Sequence, residues 1–376
     1  MRREMATRML LAAALSIVSL CTLSLPVRAE EPIKVFLSMS FVGNQWQEEA
    51  ANTIRAMAAS KKYKEKVTFE VQVAGPNAQK QIQQINAMVQ AGAKAIIVYP
   101  ISPTALNQAV KAACDKGVTV VAYDGEITEP CAYNVHIDQA EDGRVGAQWL
   151  ADYLKGKGNI VMITGVAGTS VDSDRVAASK KVFANYPEIK IVAEANGMWG
   201  QQGARTALSK IVAAHPWETI DGILMQVGCY TAASMQDEAG IPDDKKIPCA
   251  GEQSQGHRIQ MLPSGTKVEG TSGTYRPMGY PSISYSVPAS QGAIAFKVAM
   301  DVIDGKNPPK TTIVPIKPVK MGEVRICETG SWKEMDEGCN VFKPTVVTDP
   351  GFMSGIYTSL TPEIGLAAAL HGSPEE

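Results

Sequence analysis

The sequence is poor in the residues that three common chemistries need. Its four histidines, His136, His215, His257 and His371, are scattered far apart, so nothing supports a zinc site. None of its seven cysteines is spaced as CxxC, which removes the redox-pair and zinc-ribbon readings. There is no surplus of positive charge: 36 Lys and Arg stand against 38 Asp and Glu. Without a basic block the chain lacks the electrostatic footprint of a nucleic-acid binder. Residues 165–170, GVAGTS, lack the GK[ST] ending of a phosphate loop. GxSxG, HExxH and DFG-like sets are missing, and Cys229 has no neighbouring histidine to activate it. Asp243-Asp244 lies beside Lys245-Lys246, as in a solvated turn. No catalysis, cofactor or metal is expected.

Long apolar runs are equally scarce, with a single one near the start. Arg2, Arg3 and Arg8 precede the uncharged stretch 9–25, Pro26 breaks it, and Val27-Arg28-Ala29 follows. This is the three-part order of a secretory signal, with cleavage expected after Ala29 and a periplasmic location for the remainder. An uncleaved anchor is the competing reading. Beyond it remain Cys114, Cys131, Cys229, Cys249, Cys327 and Cys339. An even number in an oxidising compartment suggests disulfides, and six cysteines allow about 15 pairings. The sequence-local pairs 114–131, 229–249 and 327–339 are the simplest set, with buried free thiols as the alternative.

What is present is regular. A length of 376 residues with 45% hydrophobic composition suits two ordinary domains rather than a disordered chain. From residue 33, apolar runs alternate with amphipathic stretches. The pattern predicts strands at 33–40, 67–75, 95–99 and 118–123, with helices over 44–60, 78–90 and 104–116. It restarts after Asp138, with helices over 143–155, 173–185, 201–214 and 231–239. Strands at 159–164, 190–195, 222–226 and 247–251 lie between and after them. A late helix over 291–304 returns to the first lobe, and from residue 333 the pattern decays into a Pro/Gly/Thr-rich tail over the surface. This βαβ order calls for parallel strands with right-handed crossovers. The fold class is therefore α/β, two doubly wound parallel-sheet lobes. In such sheets ligands sit beyond the carboxyl ends of the strands. The candidate positions are 41–46, 99–103, 124–126, 165–175, 197–199, 226–230 and 252–255.

Several stretches, in this order and spacing, resemble the sugar-binding branch of the type I periplasmic binding proteins, the ribose-binding-like receptors of ABC importers. They are Gln84-Ile85, residues 93–100 (AKAIIVYP), 117–124 (GVTVVAYD), 165–175 (GVAGTSVDSDR), Tyr186-Pro187, Gly197-Met198-Trp199, Asp221-Gly222-Ile223 and 284–306. The resemblance covers about residues 33–320. It implies a three-segment hinge near Asp138, Ser286 and Ile313. The first lobe is then 30–138 plus 286–313, the second 139–285 plus 314–332, and 333–376 a tail of open role.

By the same resemblance the first lobe offers Asn44, Trp46 and Asp124 to a ligand, and the second Arg175, Trp199, Gln226, Glu252 and Gln253. A sugar presents hydroxyls that donate and accept, plus apolar C–H faces, so carboxylates, amides, an Arg fork and flat aromatic walls suit it. Local structure competes for each residue. Asn44 is an equally good helix cap, and Arg175 has Asp172 and Asp174 nearby as salt-bridge partners. Val227-Gly228-Cys229 departs from the Asn-Asp that relatives often carry after the corresponding strand, leaving the ligand's identity open. The resemblance implies a monomeric solute receptor that hands a sugar or polyol to an ABC permease with its ATPase. A receptor that presents the bound sugar to a membrane sensor or chemoreceptor is the alternative.

Overall fold

A computed structural model describes residues 31–251, 253–285 and 287–375. The expected signal sequence, Glu252 and Ser286 lie outside the described residues. The chain begins with β1 (Ile33–Met39), α1 (Gln45–Ala59), β2 (Val67–Val73), α2 (Ala78–Gln90), β3 (Ala95–Tyr99), α3 (Asn107–Cys114), β4 (Thr119–Tyr123) and β5 (Tyr133–His136). Next come α4 (Gln139–Tyr153), β6 (Lys157–Thr164), α5 (Ser170–Phe183), β7 (Glu188–Asn196), α6 (Gln201–Ala214), β8 (Gly222–Met225), α7 (Cys229–Glu238), β9 (Cys249–Gly251), α8 (Gln255–Met261) and β10 (Ser282–Ser284). The remainder holds α9 (Gln291–Ile303), β11 (Thr311–Ile313), β12 (Val319–Lys320), β13 (Ile326–Cys327), α10 (Trp332–Asp336), β14 (Val341–Phe342) and α11 (Leu366–His371).

The first sheet has the order β2-β1-β3-β4-β5-β11, with every neighbouring pair parallel. The second runs β7-β6-β8-β9-β10-β12, parallel except for its antiparallel edge pair β10–β12. Chain crossings between the sheets follow β5, β10 and β11. The central strands are mostly apolar toward their carboxyl ends, because helices cover both faces. All five residues of β3 are buried, and completely burying Ile96 and Ile97 contributes roughly 1.5–3 kcal/mol each. One core joins α1 and α9 to one face of the first sheet, and a second lies under α2 and α3. The second sheet is built the same way, between α6 and α7 on one face and α4 and α5 on the other.

Helix starts are set by side-chain caps. Asn44 caps α1, Asp138 caps α4 and Thr169 caps α5, each accepting from a backbone N–H three residues on. These caps start α4 and α5 several residues earlier than the apolar spacing predicts. All three sequence-local disulfides form, Cys114–Cys131, Cys229–Cys249 and Cys327–Cys339. The tail differs from its expected loose path over the surface. It has a core of its own around Phe342, Phe352 and Ile356, and α11 packs on α1. Among the described residues no helix is long and apolar enough to cross a membrane.

Candidate functional site

The strand ends of the two sheets surround a cavity, where open α/β sheets place their ligands. Asn44, Trp46, Tyr99 and Asp124 line it from the first lobe, and Arg175, Trp199, Gln226 and Gln253 from the second. Of the residues expected there, only Glu252 lies outside the described residues.

A charged chain runs along one wall. Asp124 follows β4 in a left-handed conformation, φ 61°, an uncommon strain for a non-glycine residue. Its Oδ1 and its carbonyl both accept from the Gln139 side chain at 3.1 Å. Gln139 Oε1 in turn accepts from Arg175 Nε at 2.8 Å, and the same Nε lies 3.1 Å from Asp142 Oδ2. The counter-ion of Arg175 is therefore Asp142, a full helix away in sequence, rather than Asp172 or Asp174. The two Nη groups of Arg175 have no hydrogen-bond partner among the described residues. Burial pushes the Asp142 carboxyl up to about 6 against the pull of Arg175, and Asp124 adds to the rise. Asp124 is raised by burial as well, with Arg175 and Gln139 opposing. Gly143 makes this possible, since a Cβ there would sit 2.3 Å from the Arg175 carbonyl.

The aromatic walls are anchored rather than loose. Trp46 stacks on Tyr123 with centroids 6.3 Å apart and donates from Nε1 to the Val287 carbonyl at 2.7 Å. Trp199 Nε1 donates to Gln226 Oε1 at 2.6 Å, and Gln226 Nε2 to Asp172 Oδ1 at 2.8 Å. Asp172 Oδ1 also accepts from the Gly165 N–H. Gln226 thus lines the cavity with its amide already committed, holding the indole. Met198 and Trp199 are both left-handed, φ 55° and 51°, and Asn44 Nδ2 reaches the Trp199 carbonyl at 2.6 Å. Asn44 is both helix cap and a bond across the lobes, so its two readings coexist. A second bond across the lobes joins the Glu126 N–H to Ser170 Oγ at 3.1 Å.

Gln253 donates to the Val287 carbonyl and keeps a buried Oε1 without a partner. Gln47, Val171, Val227, Tyr285, Val287 and Met353 complete the lining. Strand-end reasoning pointed to the stretches holding Tyr99, Val171 and Val227, but not to Gln47, Tyr285, Val287 or Met353. Gln139 and Asp142 were also missed, although the Asp138 crossing pointed close to them. So was Gln291 at the start of α9, which is fully buried beside Asp124 and helps to hold its carboxyl down. Among the described residues no group of three or more His, Cys, Asp or Glu could hold a metal ion.

The family model described as "periplasmic binding protein domain" matches residues 35–307. The chain is similar to the xylitol-binding protein of Mycolicibacterium smegmatis, 30% identical over 168 residues, 43% of this chain and 48% of that one. It is 25% identical over 183 residues to a galactofuranose-binding protein of Escherichia coli K12, 47% of this chain and 57% of that one. The matches span about half the length of these curated relatives. Among solved structures, an ABC transporter solute-binding protein from Thermobispora bispora superposes with a TM-score of 0.69 at 24% identity. That match covers 84% of this chain and 90% of the other, a likeness of fold.

Proposed function

Because the chain belongs to the periplasmic binding protein domain family, we propose that it is an exported solute receptor. It holds a small sugar or polyol between its lobes and delivers it to an ABC permease driven by a separate ATPase. The observation that carries this reading is the Asp124–Gln139–Arg175 chain beside two anchored tryptophans in one cavity. Asp124 and Gln253 Oε1 accept from hydroxyls, Arg175 Nη groups donate to them, and the indoles cover the apolar C–H faces. Xylitol and galactofuranose, the ligands in the relatives' names, belong to this class.

Asp124 belongs to the first sheet's strand ends, Arg175 and Trp199 to the second's. A ligand touching both sets favours the closed arrangement, and the permease reads closure. The protein binds and releases its ligand unchanged, as a monomer, in the periplasm, after cleavage behind Ala29. A thermal-shift screen of the mature protein against pentoses, hexoses and sugar alcohols tests the reading. A ligand at a hundred times its Kd adds about 2.7 kcal/mol of stability, and mass spectrometry of the recovered ligand finds it unaltered. A flat screen, or a chemically altered sugar, overturns it. Intact mass of the exported protein checks the start at Glu30.

A further inference from the structure

The C-terminal tail is tied to both lobes at one point, and that point faces the cavity. On the second-lobe side, Gln255 N donates to the Phe352 carbonyl at 2.6 Å and Ser354 N to the Gln253 carbonyl at 3.2 Å. On the first-lobe side, Met353 N donates to Glu49 Oε1 at 2.8 Å. Glu49 is wholly buried on α1, and burial raises its carboxyl well above the usual range. Further along, α11 is held to the same helix by Asn52 Nδ2, which donates to the Ala369 carbonyl at 3.0 Å. The backbone around Met353 is therefore fixed from both sides. Its side chain is 3% exposed and lines the cavity with Asp124, Arg175 and Trp46.

We propose that this segment is a fixed wall of the binding cavity and that Met353 sets how large a ligand the cavity accepts. The inference rests on the sugar or polyol reading above. With the backbone held, the volume of the side chain at this position is the quantity that limits the ligand. Methionine is unbranched and adaptable, so it closes against one ligand length without a rigid shape of its own. One carbon more or less in such a site changes affinity by about 10- to 200-fold.

The test titrates the full-length mature protein calorimetrically with two matched pairs, xylitol with D-glucitol and D-ribose with D-allose. Met353→Ala raises the six-carbon to five-carbon affinity ratio at least about tenfold in whichever pair the wild type binds. Met353→Phe lowers it by a similar factor, and Met353→Leu stays within about threefold of wild type. Because Ala and Phe act in opposite directions, either variant alone decides the matter if the other fails to fold. A ratio unmoved within twofold in the folded variants overturns the wall assignment while leaving the sugar reading intact. Where the wild type binds another sugar of the thermal-shift screen instead, the ratio is read on that sugar and its homologue one carbon longer or shorter, and a wild type that binds none in that screen overturns both.

Discussion

Arg175 does two jobs in the cavity wall: its Nε answers the buried charge of Asp142, and its Nη groups are left for a ligand. Arg175→Ala removes both. Losing a charge-assisted bond in a desolvated cavity costs about 2–3 kcal/mol, roughly 30- to 150-fold in affinity. It also leaves Asp142 buried without a counter-ion, so stability falls too. The double variant Arg175→Ala/Asp142→Asn separates the two effects. Its melting temperature recovers relative to Arg175→Ala, while its calorimetric affinity stays low. Recovery of affinity in the double variant would reduce Arg175 to an ion-pair partner. Asp142 also gives a pH signature. Its carboxyl is held near 6 against an ordinary 3.8, so between these values the folded state binds more protons than the unfolded one. Stability from this group is present below about 4 and is lost as pH rises through 6. His257, buried neutral with its pKa lowered to about 3, pulls the opposite way in acid, so the wild-type curve alone is ambiguous. The difference is not: relative to Asp142→Asn, the wild type gains stability as pH falls from 7 to 4.5. Urea midpoints at the two pH values measure it.

Between β6 and α5, the loop that carries Gly165 is shaped around an indole. A Cβ on Gly165 would lie 2.0 Å from Trp199 Nε1, so Gly165→Ala must push Trp199 out and break its bond to Gln226. The expected result is a loss of at least about tenfold in ligand affinity and about 1–3 kcal/mol of stability, with unchanged far-ultraviolet circular dichroism. Wild-type affinity in this variant would mean that the wall tolerates a shifted indole. The same elements explain what was legible in the sequence. β3, and most of β1 and β4, are apolar and buried on both faces, so their positions stand out, and Asn44, Trp46, Tyr99 and Asp124 lie at or just beyond their carboxyl ends. β5 and β10 to β14 are two to four residues long, too short for a period to register. α8 is buried on every residue, including His257 and Arg258, so it has no polar face to mark it. Met353 escaped because it follows no sheet strand; the position comes from hydrogen bonds between segments far apart in sequence. The spacing of charges pointed to Asp172 or Asp174 for Arg175, whereas the close crossing of α4 over α5 at Gly143 supplies Asp142.

For the whole molecule, the proposed function makes closure the quantity that joins binding to delivery. Asn44 to Trp199 and Glu126 to Ser170 are bonds that exist only while the lobes meet. A saturating ligand should lower the radius of gyration measured by small-angle scattering, and Asn44→Ala should shift the ligand-free ensemble toward the open form. Identical scattering with and without ligand would mean that the lobes do not hinge. The disulfides permit that motion, since Cys114–Cys131 stays within the first lobe, Cys229–Cys249 within the second, and Cys327–Cys339 ties the tail to the end of the second. They also share an order: the described cysteines pair first with second, third with fourth and fifth with sixth along the chain. A chain emerging amino end first therefore meets every native partner before any wrong one, and oxidation in order of arrival yields the native set without reshuffling. Cys21 is the one residue that would upset this order. A molecule that kept its first 29 residues would bring an extra thiol ahead of Cys114 and offset each pairing that follows, so the cleavage proposed behind Ala29 would also protect the connectivity.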